Sequence, residues 1–394
     1  MVEWKELGEL GKFENIGTDK KIIEGEKLIT LLNYVDVYHH KYIDSSIPKM
    51  IVSASDKKIE DCSVEEGDIF VTPSSETVDD IGHSSVITET IPNAVYSYHI
   101  MRYRLFKKNI LLSYYINYVF DTENVKKQIL KKAQGLTRFG LSKDKFASIL
   151  VPIPSLREQN RVVGILKTFS DSIENLIEQI AERRKQYEYY CDQLLDLEGR
   201  EKRLIGELFE FKNGLNKEKK YFGQGNPIVN YTDVYHHNKI TQEILNGRVT
   251  LDDNEIERFR VKRGDVFFTR TSETPEEIGY AAVLLDDIKD CTFSGFLLRA
   301  RPTTNMLLPE FCGYCFSSYK VRQAIIKLST YTTRALTNGT SLSKISIPVP
   351  SLSEQSRIVS ILDTFEASIS NLEAQLKERE KQYEYYRNKL LTFE

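Results

Sequence analysis

Apolar side chains recur every third and then every fourth residue along two long stretches of the chain. The first stretch runs Val162, Leu166, Phe169, Ile173, Leu176, Ile180, Arg183, Tyr187, Tyr190, Leu194 and Leu197. The second runs Ile358, Leu362, Phe365, Ile369, Leu372, Leu376, Arg379, Tyr383, Tyr386, Leu390 and Phe393. A sustained 3.5-residue repeat keeps one apolar stripe facing a partner along the whole length, so each stretch predicts a long helix with a coiled-coil seam. One cation, Arg183 or Arg379, interrupts each stripe. It needs a path to solvent or a carboxylate, and it marks register and direction.

The two stretches are copies. Residues 152–195 and 348–391 agree at roughly 27 of 44 positions at a constant offset of 196. Each follows a Pro-x-Pro step, Pro152 and Pro154 or Pro348 and Pro350, and opens on Ser-Leu-x-Glu, Ser155 to Glu158 or Ser351 to Glu354. In that opening the hydroxyl caps a first-turn N–H and the carboxylate is expected to reach back. About 42 helical residues make a rod of roughly 60 Å. Some 11 seam side chains per helix, at ~1.5–3 kcal/mol each, drive the two copies together. Antiparallel pairing is expected, because it relates the copies by a two-fold axis and carries what they join to opposite ends.

The segments between the helices are fainter copies, at an offset of 197. Asn33, Tyr34, Asp36, Val37, Tyr38, His39 and His40 answer to Asn230, Tyr231, Asp233, Val234, Tyr235, His236 and His237. Gly67, Asp68, Phe70, Thr72, Ser75, Glu76, Thr77, Ile81 and Gly82 answer to Gly264, Asp265, Phe267, Thr269, Ser272, Glu273, Thr274, Ile278 and Gly279. The chain is therefore one unit written twice, divided as a domain over 1–154, a helix over 155–199, a domain over 200–350 and a helix over 351–394. Strand-like runs come first in each unit: Leu28 to Leu32, Ile69 to Thr72 and Ala94 to Leu105, then Ile228 to Asn230, Val266 to Thr269 and Phe296 to Arg301. Helical runs follow near 112–133 and 309–328, then polar loops at Gly135 to Ser142 and Tyr331 to Ser343. The expected class is α+β: two duplicated domains joined by two long helices in an antiparallel coiled coil with pseudo-two-fold symmetry.

Composition adds limits. Apolar residues make up 41% of the chain, enough for ordinary cores. There is neither an N-terminal apolar run nor an 18-residue hydrophobic stretch, so a soluble, cytoplasmic protein with no membrane partner is expected. Five cysteines without a pairing pattern fit a reducing compartment. Cys312 and Cys315 form C-x-x-C, but Tyr115 and Tyr118 stand at the matching positions of the first unit, so small buried helix residues explain them better than zinc. The net charge of −3 does not advertise a nucleic-acid binder. With the acidic helices set aside the remainder is about neutral, so any DNA affinity of this chain alone should be modest.

Catalytic signatures are missing. No Asn-Pro-Pro-aromatic or Asp-Pro-Pro-aromatic loop, glycine-rich cofactor turn or phosphate-binding Gly-x-x-x-x-Gly-Lys-Ser/Thr occurs. Asn226-Pro227-Ile228 lacks the second proline. The adjacent histidines have no third ligand at metal spacing, so no metal site is expected.

Two divergent globular halves, each ending in Pro-x-Pro, Ser-Leu-x-Glu-Gln, x-Arg-Ile/Val-Val (Gln159, Arg161, Val163 and Gln355, Arg357, Val359), resemble the specificity subunit of type I restriction–modification systems. The resemblance covers the full chain and is most specific in the helix motif. It implies two target recognition domains that read a bipartite, asymmetric duplex DNA site, and helices that dock two DNA adenine methyltransferase subunits, with restriction subunits added. It also implies that this subunit is non-catalytic, with S-adenosylmethionine, Mg and ATP used by the partners. A coiled-coil scaffold whose globular ends bind proteins is the alternative.

Positions identical in both halves cannot discriminate unlike half-sites, so the shared elements should be scaffold or phosphate positioning. Base readers should lie where the loops differ: Pro73, Ser74, Ser75, Thr137 and Arg138 in the first half, and Arg270, Thr271, Arg334 and Asn338 in the second. Arg270 or Arg334 suits guanine and Asn338 suits adenine. Lys41 and Lys239 are phosphate candidates. His83 and Tyr280 share a turn and are expected to pack. Four helix tyrosines fall on the seam, which leaves Tyr189 and Tyr385, with Gln186, Glu188, Gln382 and Glu384, as the expected partner-docking face. If the helices act as a ruler, one heptad added to both lengthens them by ~10.5 Å, roughly three base pairs. The unread spacer of a methylated target should grow by that amount, and base-resolution methylation mapping of the insertion variant checks it.

Overall fold

The computed structural model describes residues 2–107 and 110–393. It comprises two units, one of residues 1–177 with 374–394 and one of residues 178–373. The long helices are Leu156–Leu195 and Leu352–Leu390, each continuous. Each unit therefore holds one globular domain, the start of one long helix and the end of the other.

The first domain is built on a five-stranded sheet in the order Gly11–Glu14, Met101–Leu105, Ile69–Val71, Ser84–Ile87, Tyr42–Ile43. The second repeats it as Phe209–Asn213, Leu297–Pro302, Val266–Thr269, Ala281–Leu284, Lys239–Ile240. The strands Ile69–Val71 and Ala281–Leu284 are apolar throughout and buried, because the sheet is covered on both faces. Side chains alternate across it: Ile69 and Val71 enter one core while Phe70 enters the other, and Val266 and Phe268 part from Phe267 in the same way. Behind each sheet lies a smaller one, four strands in the first domain and three in the second.

Three expected runs divide. Ala94 to Leu105 becomes Ile91–Tyr96 and Met101–Leu105, in different sheets, because a turn closes between Ser97 and Ile100, with Ile100 N donating to Ser97 O at 3.1 Å. The helical run after 112 becomes Ser113–Val119 and Glu123–Lys132, since the Thr122 hydroxyl caps a fresh helix at Val125 N, 3.4 Å. Its counterpart divides into Pro309–Ser317 and Tyr319–Leu328. Cys312 and Cys315 are free and buried in the core, as expected from their spacing.

Edge strands pin each domain to its helix. Glu3–Glu6 pairs antiparallel with Leu150–Ile153, and Lys202–Leu204 with Ser346–Pro348, immediately before the helices begin. Ser155 and Ser351 cap their helices as expected, each Oγ accepting from the N–H three residues on at 3.3 Å. The carboxylates expected to reach back turn outward instead: Glu158 pairs with Arg161 at 2.5 Å and Glu354 with Arg200 at 2.7 Å.

Within each unit the start of one helix packs on the end of the other, so the pairing is antiparallel. In the first, Phe169 stacks on Tyr386 at 5.3 Å and Arg379 lies over the Phe169 ring at 5.6 Å. In the second, Phe365 meets Tyr190 at 5.2 Å and Arg183 at 5.8 Å, the same contact 196 residues on. Of the two expected outlets, solvent or a carboxylate, the seam arginines take no carboxylate among the described residues: each finds an aromatic face and a neighbouring amide, Gln186 or Gln382 at 3.2 Å. Tyr190 and Tyr386 are less enclosed than a seam residue should be, 44% and 40% exposed, because each covers a phenylalanine from the rim. Val162 and Leu166, or Ile358 and Leu362, serve the domain cores as well as the stripe.

The glutamine that follows each Ser-Leu-x-Glu is fully buried. Gln159 accepts from Leu112 N at 2.9 Å and donates to Ile110 O and Pro154 O, both at 2.9 Å. Gln355 repeats this with Leu308 N, Met306 O and Pro350 O, each at 2.8 Å. Three otherwise orphaned backbone groups are satisfied by one amide, which rivets each domain to its helix. Gln159→Ala or Gln355→Ala should therefore cost about 2–4 kcal/mol, and Gln→Glu, which sets a carboxylate against two carbonyls, at least as much; denaturant melts of the whole chain measure both.

Candidate nucleic-acid interface

Each domain carries a cleft made from the same parts. In the first, Asn33 and Asp36 form a reciprocal cap, Asn33 Oδ1 accepting from Val35 N and Asp36 accepting from Asn33 N, both at 2.9 Å. This starts the short helix Tyr34–His39, whose i, i+4 spacing stacks Tyr34 on Tyr38 at 5.9 Å. The opposite wall is Ser74–Ser75, paired with Phe139–Gly140, and Arg138 reaches Ser74 Oγ at 3.5 Å. Lys20, His39 and His99 complete the lining.

The second cleft repeats it. Asp233 accepts from Asn230 N at 2.8 Å, and Tyr231 stacks on Tyr235 at 5.8 Å. Thr271–Ser272, paired with Ala335–Leu336, forms the other wall, with Arg334 on the rim.

Electrostatics separates floor from rim. Burial raises the carboxyl pKa of Asp36 and Asp233, against the backbone N–H bonds that favour ionisation. The Tyr38 hydroxyl donates to Asp80 at 3.3 Å and Tyr235 to Glu277 at 2.7 Å. The Asp80 charge pushes the Tyr38 pKa up, and the hydrogen bond to Glu277 pushes Tyr235 up to about 12. Both phenols therefore remain neutral donors. Asp80 and Glu277 place negative charge in the lining of the clefts, beside the cations Arg138 and Arg334. His83 and Tyr280 pack on Tyr38 and Tyr235 at 4.5 and 5.3 Å, as their shared turn implied, and burial lowers the His83 pKa.

The clefts gather several predicted readers and not others. Ser74, Ser75 and Arg138 meet in the first, with Thr137 exposed beside them; Thr271 and Arg334 meet in the second. Pro73 lies behind its wall, its carbonyl accepting from Leu141 N at 2.9 Å. Arg270, its counterpart, is half-buried and donates to Gly295 O at 3.1 Å. Three candidates are corrected. Lys41 is committed inside its domain, to Asp121 and Asn117 O at 2.6 Å each, and burial lowers its pKa. Lys239 holds its domain to the second long helix through Asp363 at 2.6 Å and Glu366 at 2.8 Å, and donates to Tyr314 of its own domain at 2.5 Å. Asn338 caps the helix Gly339–Leu342, its Oδ1 accepting from Ser341 N at 2.9 Å, so that acceptor is not free to pair with a base. The stacked tyrosines were visible in the sequence as duplicated positions, but nothing there marked Lys20 or His99 as their neighbours.

The shared Gly-Asp element is scaffold. Asp68 grips Arg104 through two bonds of 2.6 Å and Asp265 grips Arg301 through two of 2.7 Å, each aspartate buried after a glycine of positive φ. Among the described residues no group of three or more His, Cys, Asp or Glu side chains is arranged to hold a metal ion, and no helix is long and apolar enough to cross a membrane.

A family model described as type I restriction modification DNA specificity domain matches residues 1–183 and again 198–381. The chain is 29% identical over 266 residues to the type I restriction enzyme EcoR124I/EcoR124II specificity subunit of Escherichia coli, covering 62% of this chain and 63% of that protein. It is 24% identical over 289 residues to the EcoKI specificity subunit of Escherichia coli strain K12, covering 68% and 62%. The matched region thus spans a little under two thirds of these relatives. Among solved structures, the type I restriction–modification S subunit from M. genitalium aligns over 100% of this chain and 97% of its own at a TM-score of 0.58 and 14% identity. A chain from a study of complex assembly and conformational transition of the type I R-M system aligns over 99% and 96% at 0.57 and 15%. These likenesses establish a shared fold. Asn338→Ala should cost about 1 kcal/mol of stability as a lost cap while Asn338→Asp costs close to none; thermal melts of the two variants check the assignment.

Proposed function

Because the chain belongs to the type I restriction modification DNA specificity family, we propose that its two domains each read one piece of a bipartite, asymmetric duplex DNA target for a multi-subunit methyltransferase and nuclease. The observation that carries this is the duplicated cleft: the stacked tyrosines, each bonded to a carboxylate, and the Gly-Asp scaffold recur, while other lining positions differ, with Ser74, Lys20 and His99 in one and Thr271 and Arg270 at or near the other. A shared frame positions DNA alike in both, and unlike rims select unlike bases. Arg138 and Arg334 are the guanine-reading candidates, since a guanidinium matches O6 and N7 together.

In this reading the subunit performs no chemistry itself. S-adenosylmethionine, Mg and ATP belong to two adenine methyltransferase subunits and to restriction subunits, and the methyltransferases flip the target base. Their docking face is the duplicated helix surface where Tyr189 and Tyr385 stand 61% and 58% exposed, each edge-on to its neighbour Tyr190 or Tyr386. Glu188 and Glu384 are exposed beside them. Gln186 and Gln382 already accept from the seam arginines, so they orient this face more than they project from it.

Base-resolution methylation mapping in cells expressing the chain with its methyltransferase partner tests the proposal. The expected motif is in two pieces separated by an unread spacer; a continuous motif, or no methylation, overturns it. Arg334→Ala should weaken binding by about 1–3 kcal/mol and relax one piece only. Binding by the assembled complex should fall with rising salt, which a protein-binding scaffold would not show.

A further inference from the structure

Leu136 has 96% of its surface in solvent, more than any other large apolar side chain among the described residues. Its loop is not slack. Gln134 and Gly140 exchange both backbone hydrogen bonds, at 3.0 and 2.8 Å, and Phe139–Gly140 is paired into the cleft wall at Ser74–Ser75. Gly135 takes a φ of +140° where any Cβ would collide with the Arg138 carbonyl. The backbone is thus closed into one shape that holds an apolar side chain out in water, next to a cation.

A singly exposed leucine is ordinary on a protein surface; what sets Leu136 apart is the braced loop that fixes it two residues from Arg138 beside the cleft wall, where it can meet an apolar group on a bound partner. Along the base edges of a duplex major groove the distinct apolar group is the thymine C5-methyl. Arg138, two residues on, carries the guanidinium that suits a neighbouring guanine in the same groove. Resting on the DNA-reading role proposed above, we infer that Leu136 contacts a thymine methyl and specifies T at one position of the piece read by the first domain. Insertion of the leucine between base pairs fits less well, because apolar wedges work from the minor groove and bend the duplex, where an arginine finds no guanine O6 and N7 pair. The position matching Leu136 at the 196-residue offset is Thr332, so the requirement belongs to the first domain alone.

The test uses the full chain with its methyltransferase partner and duplexes of the mapped target in which each thymine in turn becomes deoxyuridine, which pairs alike but lacks the methyl. One replacement should weaken binding by wild type roughly fourfold, as for one buried methyl, and leave Leu136→Ala binding unchanged. The variant should melt at the wild-type temperature, since the side chain touches little of its own domain. A target with no thymine sensitive in wild type and insensitive in Leu136→Ala overturns the inference, as does fluorescence brightening of 2-aminopurine at the contacted step, which reports a wedge. Failure to map a two-piece motif strikes the underlying role instead, so the two failures are distinguishable.

Discussion

Neither domain completes its core from its own sequence neighbourhood. The core of the first takes in Leu391, with Tyr383, Leu390 and Phe393 packed against it, from the far end of the chain. The core of the second takes in Leu195 and Leu197, with Tyr187 and Leu194 against it, from the end of the first long helix. These are the same positions 196 residues apart, so the antiparallel pairing of two copies of one helix is also what closes both hydrophobic cores. A helix of this length with an apolar stripe is unstable alone in water. Here the stripe is covered by its copy and by a domain at once, so helix pairing and domain folding become one cooperative event.

At the joint between domain and helix the copies differ in chemistry. At one register position the first domain has Tyr42, whose hydroxyl bonds Tyr118, with Tyr118 also 3.5 Å from Ser170. The second has Lys239, bonded to Tyr314, Asp363 and Glu366, with Tyr187 donating to Glu366 at 3.0 Å. Phenols in one unit and a lysine between two carboxylates in the other fill the same gap. Burial raises the pKa of Tyr42, Tyr187 and Tyr383, and these hydroxyls remain protonated donors. Duplication preserved the shape of the joint and left its polarity free to change.

Much of this was legible in the chain. The 3.5-residue stripe and the repeated Ser-Leu-x-Glu-Gln opening announced where both helices start to within a residue, because periodicity and capping are local properties, while both ends came four residues earlier than expected. Strands rich in apolar residues such as Val266–Thr269 were equally plain. Local reasoning failed where a side chain reaches across the fold. Lys41 and Lys239 read as exposed cations because their carboxylate partners lie about 80 and 124 residues away. Asn338 read as a base contact because a four-residue helix is too short to show a period. Glu158 turned from the cap to Arg161 of its own motif, and Glu354 to Arg200, which lies 154 residues away.

The sequence by itself determined that there are two copies, where their long helices start, which stripe each helix must hide, and which positions are shared and so serve as frame. Those follow from spacing along one chain and from identity between its halves. Only the tertiary structure decided which cations are spent in ion pairs, that Tyr34 and Tyr38 face Ser74, Ser75 and Arg138 across a cleft, and that Leu136 stands in solvent on a closed loop. Exposure and partnership depend on which distant segments arrive at the same place, and pairing in space is not written in the neighbouring residues.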